Sequence, residues 1–253
     1  MSREVIEAIR HFGMDAVFSL ERRDPQFVAV CKAAKRHGEE AGARLAMLNA
    51  LVSYKLVGKG EEHWGFFGDY FSTRHVGNIC GDFVAYLKAS PYLRLGLESR
   101  KRRVLKLCGY VPDLENLKKT WGDISTALKS PPTQKTVVFA IKILNYVYMC
   151  TRGVDRPLPF EIPLPVDYRV AYLTWCAKLV DIPPEEAMRR QKEIQTTWSY
   201  IAHAAGIPPL HVDTLLWLAG RAVIYGENIH QIPEGLLKVF AKREECKYLS
   251  RSR

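Results

Sequence analysis

The stretch Ser130-Pro131-Pro132-Thr133-Gln134-Lys135-Thr136 constrains the fold of this 253-residue chain more than any other. Two prolines end whatever precedes them. The apolar run that follows predicts a long helix from about Gln134 to Tyr148, with Thr133 placed to cap it. Lys135 then falls in the first turn. A helix N-terminus disfavours an added positive charge, so the position favours an uncharged amine, which is a nucleophile. At helical spacing Phe139, Lys142 and Tyr146 follow Lys135 along one stripe, while Val138, Ile141, Leu144, Asn145 and Tyr148 lie to the sides and back.

A second stretch, Pro163-Leu164-Pro165-Val166-Asp167, precedes the apolar positions Val170 and Leu173, so Asp167 reads as a helix N-cap. His211-Val212-Asp213 after Pro208-Pro209 repeats that design, with Trp217 one turn beyond Asp213. Asp24-Pro25 opens a helix to about His37 and places Gln26 in its first turn. The segment Glu61–Phe71 holds five aromatic residues. Phe66, Phe67 and Phe71 are expected in the core, whereas Trp64 suits either the core or a pocket wall, where its indole N–H can donate.

No stretch shows sustained apolar alternation with hairpin turns, and no glycine-rich phosphate loop or internal repeat is present. The expected fold is all-α. Further helices are read at Arg3–Leu20, Ala41–Leu56, Val76–Leu87, Tyr92–Leu107, Leu117–Leu128, Val166–Leu179, Pro183–Ala205 and Ile232–Leu249, followed by a frayed tail. Gly58 and Gly60 mark a boundary. One helical subdomain is expected at 60–160, carrying the hairpin and the nucleophile helix. Residues 1–59 with 161–253 are expected to form the second, and both flank a cleft within one globular unit.

A net charge of +10 favours a polyanionic partner. Its densest source is Arg100-Lys101-Arg102-Arg103, which a single neighbouring acid, Glu98, cannot neutralise. The run therefore reads as a positive field with phosphate contacts. The six cysteines and seven histidines lack the close spacing of a zinc or iron–sulfur site, so no metal is expected and the cysteines are read as mostly buried free thiols. No run is long and apolar enough for a membrane span and no secretory segment opens the sequence, so an intracellular protein without a membrane partner is expected.

In order and spacing, Asp24-Pro25-Gln26, His63-Trp64-Gly65, Lys135-Thr136-Val137-Val138-Phe139-Ala140 with Lys142, Pro165-Val166-Asp167, and His211-Val212-Asp213 with Trp217 resemble the archaeal 8-oxoguanine DNA glycosylase/lyase family. That family is a compact branch of the helix-hairpin-helix DNA glycosylases, and the pattern covers nearly the whole chain. The resemblance implies two helical subdomains, a lysine nucleophile at Lys135 and a carboxylate partner at Asp167. It implies a base pocket of Gln26, Trp64, Phe139, Lys142, Asp213 and Trp217, and a monomer acting without a cofactor on damaged DNA with a flipped 8-oxoguanine. The chain departs from the wider superfamily where its glycine-rich hairpin becomes Lys129-Ser130-Pro131-Pro132-Thr133. Lys129 and Thr133 join the arginine-rich run as expected phosphate contacts. Two alternatives stand beside this reading: a helix-hairpin-helix module that binds DNA without catalysis, and a glycosylase for another damaged base.

Overall fold

The structure, a computed structural model, describes residues 2–227 and 229–246 and contains helices but no strand among them. The chain begins with α1 (Ser2–Phe12) and α2 (Met14–Glu21), one helical reading split at Gly13. It continues through α3 (Pro25–Val52), α4 (Gly60–Thr73), α5 (Ile79–Ala89), α6 (Leu97–Leu107), α7 (Leu117–Leu128) and α8 (Lys135–Arg152). It ends with α9 (Tyr168–Cys176), α10 (Pro184–Ala187), α11 (Gln191–Ala205), α12 (Pro209–Tyr225), α13 (Glu234–Phe240) and a 3-10 turn at Glu244–Cys246. The last predicted helix is therefore shorter than its sequence pattern, and the tail read as frayed lies outside the described residues. Among the described residues no helix is long and apolar enough to cross a membrane.

Two compact units divide the chain: Met1–Glu21 with Pro157–Arg253, and Arg22–Arg156. The boundary expected near residue 60 assigns residues 22–59 to the unit of the termini. In the structure they belong with α8, because α3 packs along α8 and α4 more extensively than along any other element. Asp24 caps α3 and Gly38 interrupts it with φ +83°, where the sequence placed a gap between two helices. That left-handed conformation suits a residue without a β-carbon. Gly68 lets α4 approach closely, since a β-carbon there would lie 2.9 Å from the α-carbon of Ala29.

The terminal unit has its own core. Val5 and Ile9 from α1, Val170 and Leu173 from α9, Trp198 and Ile201 from α11, and Leu215 and Leu216 from α12 are all buried in it. Trp198, expected in the core, is fully buried, and its indole N–H donates to Thr174 Oγ1 at 2.8 Å. Of the aromatic residues expected in the other core, Phe67 and Phe71 are fully buried while Phe66 is half-buried.

The expectation of free thiols is overturned. Cys31 pairs with Cys150, Cys80 with Cys108 and Cys176 with Cys246. Their α-carbons lie 5.6, 5.1 and 5.7 Å apart, inside the bridgeable range, although the partners are separated by 119, 28 and 70 residues. Sequence spacing carries no trace of such pairs, because only the packing of α3 on α8, α5 on α6, and α9 beside the C-terminal segment brings the sulfurs together. Among the described residues no group of three or more His, Cys, Asp or Glu side chains could hold a metal ion.

Candidate active site

The hairpin between α7 and α8 delivers Lys135. Lys129 closes α7 in the left-handed region, φ 51° and ψ 46°, the place a glycine usually takes. Two side chains of α7 then pin the turn: Ser125 Oγ donates to the Ser130 carbonyl at 2.7 Å, and Trp121 Nε1 to the Pro132 carbonyl at 2.7 Å. The N-cap of α8 is Gln134 rather than Thr133, so Lys135 is the first helical residue, and it is exposed. Thr136 beside it accepts a hydrogen bond from Arg103 Nη2 at 2.9 Å.

Further along α8, Phe139 is half-buried, with the Trp64 ring edge-on to it at 6.0 Å and 78°. Trp64 itself is only 1% exposed, so it is both a core residue and the backing of Phe139. Lys142 and Tyr146 on the same stripe are buried. The sequence reading placed four functional groups in a row, and only Lys135 and Phe139 reach the surface. Beside Trp64, burial and the nearby Arg100 guanidinium lower the His63 imidazole to about 3, and His63 Nε2 lies 2.9 Å from Ser53 Oγ.

Gln26 enters the same unit on α3. Asp24 Oδ1 accepts its backbone N–H at 2.8 Å, and Asp24 Oδ2 accepts the Tyr146 hydroxyl at 3.2 Å. One carboxylate thus caps the Gln26 helix and ties it to the Lys135 helix. The side-chain oxygen of Gln26, Oε1, is buried and has no hydrogen-bond partner. A buried acceptor left open costs free energy unless a ligand fills it.

In the terminal unit Asp167 caps α9 as the sequence predicts, its Oδ1 accepting the Val170 N–H at 3.1 Å. Asp213 and Trp217 are half-buried on α12. Asp213 is not a cap, because the prolines start α12 earlier, at Pro209, and Asp213 falls in the second turn. Arg169, which sequence reasoning passed over, lies with Nη2 3.7 Å from Asp167 Oδ2 and its guanidinium 5.7 Å from the Trp217 ring. Its aliphatic stem crosses Gly220, where a β-carbon would meet Arg169 Cβ at 3.4 Å. An arginine two residues after a capping aspartate has no sequence signature that separates it from a surface charge.

The arginine-rich run is divided. Arg100 is fully buried and is corrected from phosphate contact to helix cap. Its guanidinium donates to the carbonyls of Val52 at 3.1 Å, Lys55 at 3.3 Å and Tyr54, satisfying the C-terminal end of α3. Arg103 is half-buried, and burial lowers its pKa. Lys101 is half-buried, while Arg102, Lys129 and Thr133 are exposed. A run of like charges on a helix cannot all face one way, so one member in each turn points inward.

Comparison with known proteins bears on this arrangement. The family model "AGOG: N-glycosylase/DNA lyase" matches residues 6–249. An N-glycosylase/DNA lyase of Pyrobaculum aerophilum is 58% identical over 245 residues, covering 97% of this chain and 96% of that one. A protein of the same description from Thermococcus kodakarensis is 31% identical over 257 residues, covering 95% and 90%. The crystal structure of Pa-AGOG, the 8-oxoguanine DNA glycosylase from Pyrobaculum aerophilum, complexed with 8-oxoguanosine, superposes with a TM-score of 0.94 at 58% identity over 97% of each chain. The chain whose hairpin presents Lys135 and whose α9 is capped by Asp167 belongs to the AGOG family of N-glycosylase/DNA lyases.

Proposed function

We propose that this chain, acting as a monomer, releases 8-oxoguanine from DNA and then cuts the strand, with Lys135 as nucleophile and Asp167 as its carboxylate partner. Membership of the family carries the reaction class: the protein is a DNA N-glycosylase and an abasic-site lyase. The observation that supports the assignment of the nucleophile is the placement of Lys135, an exposed amine on the first residue of α8 with the half-buried Phe139 ring one turn beyond it.

In the proposed reaction the damaged nucleotide is extruded from the duplex and its base enters an aromatic site. Lys135 Nζ forms a bond to C1′ as the C1′–N9 bond breaks, and the base leaves with the electron pair and a proton. Asp167 stabilises the positive charge that develops on the sugar and takes part in proton transfer. The nitrogen loses its proton as the sugar ring opens, giving a Schiff base. Loss of a proton from C2′ then expels the 3′ phosphate by β-elimination.

Recognition is proposed to involve Gln26, Trp64, Phe139, Lys142, Asp213 and Trp217. Guanine carries a bare acceptor at N7, whereas 8-oxoguanine carries N7–H. The open, buried Gln26 Oε1 suits that one added donor. Arg102, Lys101, Arg103, Lys129 and Thr133 remain the proposed phosphate contacts. A DNA substrate together with archaeal relatives supports the reading that the protein works inside the cell, in the cytoplasm.

Borohydride trapping tests the chemistry, because reduction of a Schiff base leaves a covalent protein–DNA adduct. The native chain is expected to form the adduct on a duplex with a single 8-oxoguanine, and Lys135→Gln is expected to bind that duplex without forming it. Equal trapping by the substituted protein would remove Lys135 from the role. Release of uracil or 3-methyladenine without 8-oxoguanine would overturn the substrate assignment alone.

A further inference from the structure

In the terminal unit a carboxylate and an imidazole lie fully buried and joined, and nothing in the chemistry above uses them. Glu21, the last residue of α2, accepts from His211 Nδ1 at 2.9 Å and from Thr214 Oγ1 at 2.9 Å, both bonds falling on Oε1. His211 Nε2 accepts the backbone N–H of Leu158 at 3.0 Å, which places the ring proton on Nδ1. The Phe18 ring meets the imidazole edge-on at 5.3 Å. Glu21 Oε2 is buried with no hydrogen bond. Apolar side chains of the same size would fill this space without leaving a carboxylate oxygen unsatisfied, so the polar groups are retained against a cost.

Their placement explains what they hold. His211 and Thr214 stand on the buried side of the first turns of α12, and the same turns carry Asp213 and Trp217. No side chain caps α12, whose N-cap is Pro208. At about 100° per residue Asp213 and Trp217 lie roughly 200° and 240° around the helix from His211. Apolar packing alone lets a helix roll, whereas two side-chain hydrogen bonds from one face to a fixed carboxylate oxygen do not. The lever is steep: a roll of about 10° moves a side-chain tip about 6 Å from the axis by about 1 Å. A misplacement of about 1 Å in a reacting complex can cost on the order of a hundredfold in rate.

We infer that Glu21 and His211 are positioning residues that set the rotation of α12, and through it the aim of Asp213 and Trp217 at the damaged base. The inference rests on the proposed role of those two residues in holding the base. It predicts a split that a purely structural pair would not produce. Single-turnover release of 8-oxoguanine should fall by about tenfold or more in Glu21→Leu and His211→Phe, while cleavage of a pre-formed abasic site stays within about twofold. Glu21→Gln keeps the acceptor and should restore base release to within about threefold. If the larger changes prevent folding, Thr214→Val removes one bond with the shape retained, and a smaller split of the same sign is expected. An equal fall in both activities, or a loss of melting temperature with neither activity changed, would overturn the inference. Trp217→Ala in the same assay separates the two failures. If it shows the split and the Glu21 and His211 variants do not, the positioning role alone is lost. If Trp217→Ala shows none, the role of α12 in holding the base fails first.

Discussion

α8, which presents Lys135, and α12, which carries Asp213 and Trp217, are secured by different forces. α8 is buried along most of its length, packs on α3, is joined to it by Cys31–Cys150 and by Tyr146–Asp24, and turns Lys135 at its start and Thr151 and Arg152 at its end toward solvent. α12 is crossed by a buried hydrogen-bonded carboxylate at its start and packs on α2 and α9. The difference matches what each is proposed to hold. A nucleophile on the first residue of a helix stays in place if the helix as a whole does not slide, and apolar contact with a covalent tie resists sliding. Groups on the flank of a helix stay in place only if it does not roll, and that calls for directional bonds.

The contrast can be broken most forcefully at the covalent tie. Replacing Cys31 and Cys150 by alanine opens a loop of 119 residues, and the chain-entropy picture then costs about 4–5 kcal/mol. Denaturant unfolding should report that loss, with base release and abasic-site cleavage preserved together below the new melting point. Loss of base release alone would show that the tie orients residues rather than stabilising their unit.

Trp64 and Trp217 sharpen the comparison next. Trp64 is 1% exposed, so Trp64→Ala should cost about 3–5 kcal/mol of stability. Trp217 is half-buried, and Trp217→Ala should cost about 1 kcal/mol while base release falls. Calorimetry on the two variants checks the order, and a reversed order would contradict the burial assigned to them.

Asp167→Asn separates charge from capping. Asparagine caps about as well as aspartate, so stability should change by a few tenths of a kcal/mol. Base release should fall about a hundredfold, equivalent to about 2.7 kcal/mol at the transition state. Unchanged turnover with a lower melting temperature would leave Asp167 as a cap and nothing more.

The smallest effect belongs to the hairpin. Lys129→Gly relieves a left-handed lysine and should add up to about 1 kcal/mol of stability. If the lysine touches a phosphate, the slope of log affinity against log salt should also fall by about one. A gain in stability with an unchanged salt slope would confine Lys129 to the turn.

By itself the sequence determined where some helices begin, although it put the cap of α8 one residue early at Thr133 and gave α12 a cap at Asp213 that it does not have. Asp24-Pro25, Pro131-Pro132 and Asp167 are local signals, since a cap or a proline acts on backbone groups within one turn of itself. The all-α class and the placing of Lys135 at the head of its helix followed from them. The order of the motifs pointed to the family for the same reason: it is a property of the chain, read without coordinates.

What joins residues distant in sequence was decided only by the tertiary structure. Cys31 meets Cys150, Arg100 turns inward to the end of α3, and Glu21 meets His211 because packing brings separate helices together. A buried arginine and an exposed one have the same neighbours in sequence, as do a paired cysteine and a free one. Their roles are set by the energy of satisfying a charge, a thiol or a carbonyl against a partner that no local pattern encodes.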